Sequence, residues 1–277
     1  MSKHPIPIVK HPLAVSERPV IASIPHFGTE PIPNIKPHDY SDPEFTHWPW
    51  GYADTFAADV YGKTNEYGAF LIATPYSRLF VDVNRGRNDF VCKDKVVTST
   101  RGVFRTHTRR GRAIFAKELT KERAEYMLSH FYDPYHAGLV QLIEHLKDKH
   151  EKILLLDMHT ASPNRIGDHE IVIGTHGATT AERSIIDRII NFIAAAGIKV
   201  EEDVPGYAGG HIVRHYGIAG TKEVQAIQIE INSGLLMTTP KKEFMRRLLR
   251  GERPKIHARN IERIQRCLKA IISQTMA

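Results

Sequence analysis

Residues 153–162 read ILLLDMHTAS, and this stretch constrains the fold more than any other. Four consecutive apolar residues fit a strand buried on both faces, which needs a layer of cover on each side. The run ends abruptly in Asp157, Met158, His159 and Thr160, placing an acid, an imidazole and a hydroxyl at its carboxyl tip. Two further stretches repeat the pattern. Residues 20–28, VIASIPHFG, run into Pro25 and His26, and residues 226–231, AIQIEI, carry Glu230 between isoleucines. In open α/β sheets, ligands gather outside the carboxyl ends of the strands. Three strand ends bearing two histidines and a glutamate therefore point to metal-dependent hydrolysis.

The rest of the chain supports an α/β class. Residues 69–74 and 79–83 read as short strands around a Pro-Tyr-Ser turn, and 198–200 as a third. Residues 54–61 read as a short helix opened by Asp54. Between 119 and 150, apolar residues recur at three- and four-residue steps. Pro134 lies inside that stretch, so a short first helix followed by a second starting near Pro134 is expected. Residues 180–196 form an amphipathic helix closed by Gly197, and 241–249 and 256–272 are helical. Residues 85–112 are arginine-rich and aperiodic, which fits a hairpin excursion. Residues 29–50 contain Pro31, Pro33, Pro37, Pro43 and Pro49 and read as a long loop, of the kind that serves or covers a site. The expected architecture is one three-layer α/β/α domain over residues 1–277 with a mixed central sheet, an N-terminal surface arm at 1–19 and C-terminal helices at 241–277.

Composition narrows the function classes. Cys92 and Cys267 are the only cysteines and stand far apart, so neither a disulfide framework nor a cysteine-zinc site is expected. The first residues lack the apolar core of a signal peptide, and no run is long enough to span a bilayer, so a cytoplasmic location is expected. The net charge of +7 suits an anionic small substrate or a basic surface. A nucleic-acid partner through 85–112 and 241–250 is the alternative from a different class, although no zinc-finger, KH or RRM signature accompanies the charge.

His26 and His159, each next to a buried strand, are candidate ligands for one divalent ion, zinc being the natural choice for imidazole and carboxylate donors. Asp54 and Glu30 are the candidates for a second-position carboxylate. Asp54 also suits a helix cap. Glu230 shares a strand face with Gln228, and a carboxylate there must either pair with an arginine or face the site as general base. Arg78 and Arg85 flank a segment in which Asp82 and Asn84 share Arg78's face; they suit either a carboxylate clamp or a structural pair with Asp82. Gly209 and Gly210 allow a tight turn, after which Arg214 could reach a substrate. No GxxxxGK[ST] or GxSxG motif exists.

Taken in order, residues 24–28 (IPHFG), Asp54, residues 77–85 (SRLFVDVNR), 133–136 (DPYH), 157–160 (DMHT), 173–175 (IGT), 209–210 (GG) and 228–231 (QIEI) resemble the N-formylglutamate amidohydrolase family. The resemblance implies a phosphorylase/hydrolase-like α/β fold related to zinc carboxypeptidases. It implies zinc held by His26, Asp54 and His159, with Glu230 as general base. It implies that Arg78, Asn84, Arg85 and Arg214 face a small anionic N-acyl amino acid. The family's named member converts N-formyl-L-glutamate to formate and L-glutamate in histidine degradation. This chain departs from the family pattern at Phe27, where small residues are common, and at Thr160. A zinc peptidase or amidase of another substrate is the enzymatic alternative.

Overall fold

A computed structural model describes residues 6–13, 17–217, 223–248 and 250–276. Its centre is a seven-stranded sheet built from β1 (Ile8–Lys10), β2 (Val20–Ile24), β3 (Phe70–Ala73), β7 (Ile153–Ala161), β8 (Ile171–Gly174), β9 (Val200–Glu202) and β10 (Val224–Asn232). A separate three-stranded sheet comprises β4 (Val91–Lys93), β5 (Val96–Thr98) and β6 (Leu119–Thr120). The large sheet has the order β1-β3-β2-β7-β10-β8-β9. Its four inner strands β3, β2, β7 and β10 run parallel, while β1 and β8 pair antiparallel with their neighbours and β9 runs parallel to β8. The sheet is mixed, as expected.

Side-chain parity explains the three layers. Leu154, Leu156 and Met158 of β7 and Ile227, Ile229 and Ile231 of β10 pack into one apolar cluster. That cluster is covered by α2 (Ala57–Tyr61), α6 (Arg183–Ala195), α8 (Lys241–Leu248) and α9 (Ala258–Gln274). Ile153 and Leu155, with Val224 and Ala226, face the opposite cluster beneath α3 (Lys121–Met127), α4 (Asp133–Lys147) and α7 (His211–Tyr216). Two short helices, α1 (Trp48–Tyr52) and α5 (Pro163–Ile166), complete the set. On the second face the apolar residues stop halfway along. Asp157 and His159 on β7, and Gln228 and Glu230 on β10, continue it with polar groups.

Several boundaries differ from expectation. β7 and β10 each continue through their polar residues for nine residues, paired without interruption from Val224 and Ile153 to Asn232 and Ala161. His159 and Glu230 thus lie within strands, because the ladder bonds backbone groups whatever the side chains are. Residues 79–83 are not a strand. Phe80 N–H closes a turn onto Ser77 and Asp82 N–H reaches Val103, while Leu79, Val81 and Val83 are buried. Asp54 does not open the helix, which starts at Ala57 after a left-handed Phe56 (φ 67°). The stretch taken as an arm includes β1, paired to β3; residues 1–5 and 14–16 of it lie outside the described residues. Residues 249 and 277 of the C-terminal helical region also lie outside them.

Other expectations hold. Pro134 sits in the first turn of α4, and the chain between α3 and α4 widens into a π-helical turn at Leu128–Tyr132. A proline lacks the N–H that a tighter turn would use. Residues 91–98 form a hairpin whose two turn residues, Asp94 and Lys95, both have positive φ. No helix among the described residues is long and apolar enough to cross a membrane.

Candidate active site

His26 follows β2 in a turn, and its carbonyl accepts the N–H of Asp54 at 2.9 Å. This bond brings the 26 and 54 segments together. Asp54 Oδ2 accepts the N–H of Thr160 at 3.1 Å and lies 3.0 Å from His159 Nδ1. Asp54 Oδ1 lies 3.7 Å from His26 Nδ1. One ligating atom from each of His26, Asp54 and His159 lies within 4.8 Å of the others, and all three residues are buried. Glu30, the alternative carboxylate, is instead tied through its backbone to Pro75 and Ser77.

Each imidazole is held from behind by a carboxylate. His26 Nε2 donates to Asp82 Oδ1 at 2.8 Å, and His159 Nε2 lies 3.0 Å from Asp157 Oδ2. Both aspartates are fully buried. Such pairs fix the ring orientation and turn the other nitrogen, here Nδ1, toward Asp54, where a metal would take the place of the present contacts. Two imidazoles and a carboxylate leaving a fourth position open is the donor set of a catalytic zinc site. The residues present therefore fit the ion.

The protonation tendencies follow from this geometry. Burial opposes ionisation of Asp54, but the charge of Arg78 and the bonds from His159 and His26 outweigh it and hold the carboxyl well below the usual range. Asp82 is likewise buried yet held low by His26 and Arg105. Burial would lower His159, but Asp157, Asp54 and Glu230 raise it well above an ordinary histidine. Burial pushes Glu230 up to about 7, with Asp54 and Asp157 adding to the rise and His159 and Arg78 opposing it. Glu230 is the register partner of His159 on the adjacent strand, so it stands beside the ligand cluster without belonging to it.

The structure places the expected substrate contacts unequally. Arg78 lies on the cluster: Nη1 donates to His26 Nδ1 at 2.7 Å, Nη2 is 3.1 Å from Asp54 Oδ1, and Nε donates to Tyr52 O at 2.6 Å. It pairs with Asp54 rather than Asp82. The arginines at Asp82 are Arg105, at 3.1 Å, and Arg85, whose Nε lies at 3.7 Å. Asn84 was expected to face substrate, yet its amide is engaged by protein at both ends. Nδ2 donates to Asp157 Oδ2 at 2.8 Å, and Oδ1 accepts the N–H of Ile212 at 2.8 Å. Arg214 is exposed on α7 and donates to Gly210 O at 3.2 Å.

Sequence reasoning missed several groups. Arg105 is buried among aperiodic residues that give no signal. Asp157 could have been recognised as a partner of His159, since i and i+2 share a strand face. Burial, with the charges of Arg109 and Arg78, lowers Arg165, and burial, with the charge of Glu230, raises Tyr207. Many remaining arginines of the expected basic surface are internally paired: Arg87 with Asp133 and Glu125, Arg112 with Asp42 and Glu44.

Known proteins resemble this chain over most of its length. An N-formylglutamate deformylase of Pseudomonas aeruginosa is 27% identical over 224 residues, spanning 77% of this chain and 80% of that protein. One of Pseudomonas putida is 26% identical over 192 residues, spanning 66% and 70%. The crystal structure of an N-formylglutamate amidohydrolase from Ralstonia eutropha JMP134 superposes with a TM-score of 0.79 at 20% identity, over 97% of this chain and 96% of that one, and shares the fold. A sequence profile of one family, N-formylglutamate amidohydrolase, matches residues 18–237, which hold every candidate ligand and carboxylate described above. The chain belongs to the N-formylglutamate amidohydrolase family.

Proposed function

We propose that this protein is a zinc-dependent amidohydrolase that cleaves N-formyl-L-glutamate to formate and L-glutamate, a step of histidine degradation carried out in the cytoplasm. The observation that carries the reading is the convergence of His26, Asp54 and His159 beside Glu230. The names of the Pseudomonas relatives support the substrate.

His26, Asp54 and His159 would hold the ion, with Asp82 and Asp157 fixing the two rings. A zinc ion bound there supplies Lewis acidity and lowers the pKa of water. Glu230, with a proton affinity matched to neutral pH, takes the proton of the attacking water at its carboxylate and returns it to the leaving amine. Arg78 points two N–H groups at the cluster and is the natural donor to the oxyanion as the carbonyl becomes tetrahedral. Arg85 and Arg214, with Arg165 and Arg109, are the cations from which carboxylate recognition is drawn. Asn84 acts from behind, through Asp157.

Formate release from N-formyl-L-glutamate by protein of known metal content tests the reading, repeated after chelation and with His159→Ala. Turnover that requires both metal and His159 is expected. Stoichiometric zinc without turnover moves the substrate to another N-acyl amino acid, and absence of both overturns the reading.

A further inference from the structure

Gln228 is 4% exposed and lies two residues before Glu230 on the same face of β10. Both ends of its amide are engaged. Oε1 accepts the N–H of Gly210 at 2.7 Å, and Nε2 donates to Glu230 Oε1 at 3.2 Å. Gln228 itself is buried, so its amide depends on these two partners rather than on solvent.

The other end of this connection is equally fixed. A Cβ at Gly210 would lie 2.5 Å from Asn84 Nδ2, so the glycine turn packs directly on the Asn84 amide. Asn84 N–H donates to Asp82 Oδ1 at 3.0 Å, and its side chain donates to Asp157. One connected set of contacts therefore runs from the two carboxylates behind His26 and His159, through Asn84 and the Gly210 turn, to Gln228 and Glu230.

We infer that Gln228 is a positioning residue for the general base: it holds one oxygen of Glu230 and leaves the other directed at the attacking water. The inference rests on the amidohydrolase reading above. A glutamate has three side-chain torsions, and a base even slightly misplaced loses rate without losing substrate affinity.

Two variants test this. Gln228→Met keeps the approximate volume and removes both bonds. Gln228→Leu likewise removes both bonds, with a branched side chain that adds no charge beside Glu230. Each should lower kcat about tenfold, the scale of one hydrogen bond to a charged group, with KM and zinc affinity within about twofold of wild type. In a Glu230→Gln background, Gln228→Met should cost nothing more, because its effect runs through Glu230. Wild-type kcat in both variants overturns the inference, as does a loss that persists undiminished in the Glu230→Gln background. If Gln228→Met does not fold, Gln228→Leu decides on the same criteria. A wild-type protein without turnover overturns the amidohydrolase reading and this inference with it; an active wild type with unaffected Gln228 variants overturns this inference alone.

Discussion

Glu230 and His159 stand opposite one another as register partners on neighbouring parallel strands, so the backbone ladder of β7 and β10 fixes the distance between carboxylate and imidazole. A slip of one residue would turn both side chains to the other face of the sheet. Glu230→Gln preserves shape and removes only the proton acceptor. Zinc content should stay at the wild-type level while kcat falls by about 100-fold or more. Unchanged turnover in that variant would remove Glu230 from the mechanism.

Metal binding should be visible in stability as well as activity. An ion that binds only the folded chain adds roughly 2.7 kcal/mol at a hundredfold excess over its Kd. Zinc should raise Tm by several degrees in the wild type and leave it in place in His159→Ala. A thermal scan with and without zinc reads both, and an equal shift in the variant would place the ion elsewhere.

Asp157 stands outside the His26, Asp54 and His159 cluster, on the far nitrogen of the His159 ring. Asp157→Asn keeps the shape and weakens the acceptor for Nε2. Zinc affinity should fall about 10- to 100-fold, as for other orienting carboxylates. Competition with a chromophoric chelator measures this directly, and wild-type affinity in Asp157→Asn would show that the pair is structural only.

His136 gives a pH dependence independent of the metal cluster. It lies between the rings of Tyr132 and Tyr216, donates Nε2–H to Val83 O at 2.9 Å and accepts from Tyr216 at Nδ1. Burial, aided by His211 and His215 and opposed by the bond to Val83, pushes it down to about 4. The unfolded chain takes up this proton near pH 6.5, whereas the folded one resists until about 4. Stability from this group is therefore complete above about 6.5 and declines as pH falls toward 4, by roughly 3 kcal/mol at most. Denaturant curves of wild type and His136→Gln should diverge in slope across that window. Parallel curves would show that His136 does not titrate as its surroundings require.

The three central strands were legible because an uninterrupted apolar run has few places to go except between two layers. The length of β2, Val20–Ile24, was legible too, but that of β7 was not, since its run of hydrophobic residues ends at Asp157 while the backbone pairing continues to Ala161. The 79–83 segment alternates like a strand for another reason: its apolar side chains enter the core and its polar ones the site, with no neighbouring ladder. His26, His159 and Glu230 could be singled out from their positions at strand ends. Asp54 could not be separated from Glu30 by sequence alone, because the bond from Asp54 N–H to His26 O that draws it in is a tertiary contact. Asp82 looked like an arginine partner and does bind Arg105, but its second contact is His26, 56 residues away. The opposite surprise was Asn84, which the family resemblance turned toward substrate while its amide looks inward.

Both margins of the large sheet are three-residue strands, β1 and β9, and they are charged as well as short: Lys10 on one, Glu201 and Glu202 on the other. Short, charged margins make poor templates for another strand. Copies of this molecule therefore cannot readily join by continuing one sheet into the next. An assembly made through any other surface leaves the strand register around His159 and Glu230 untouched.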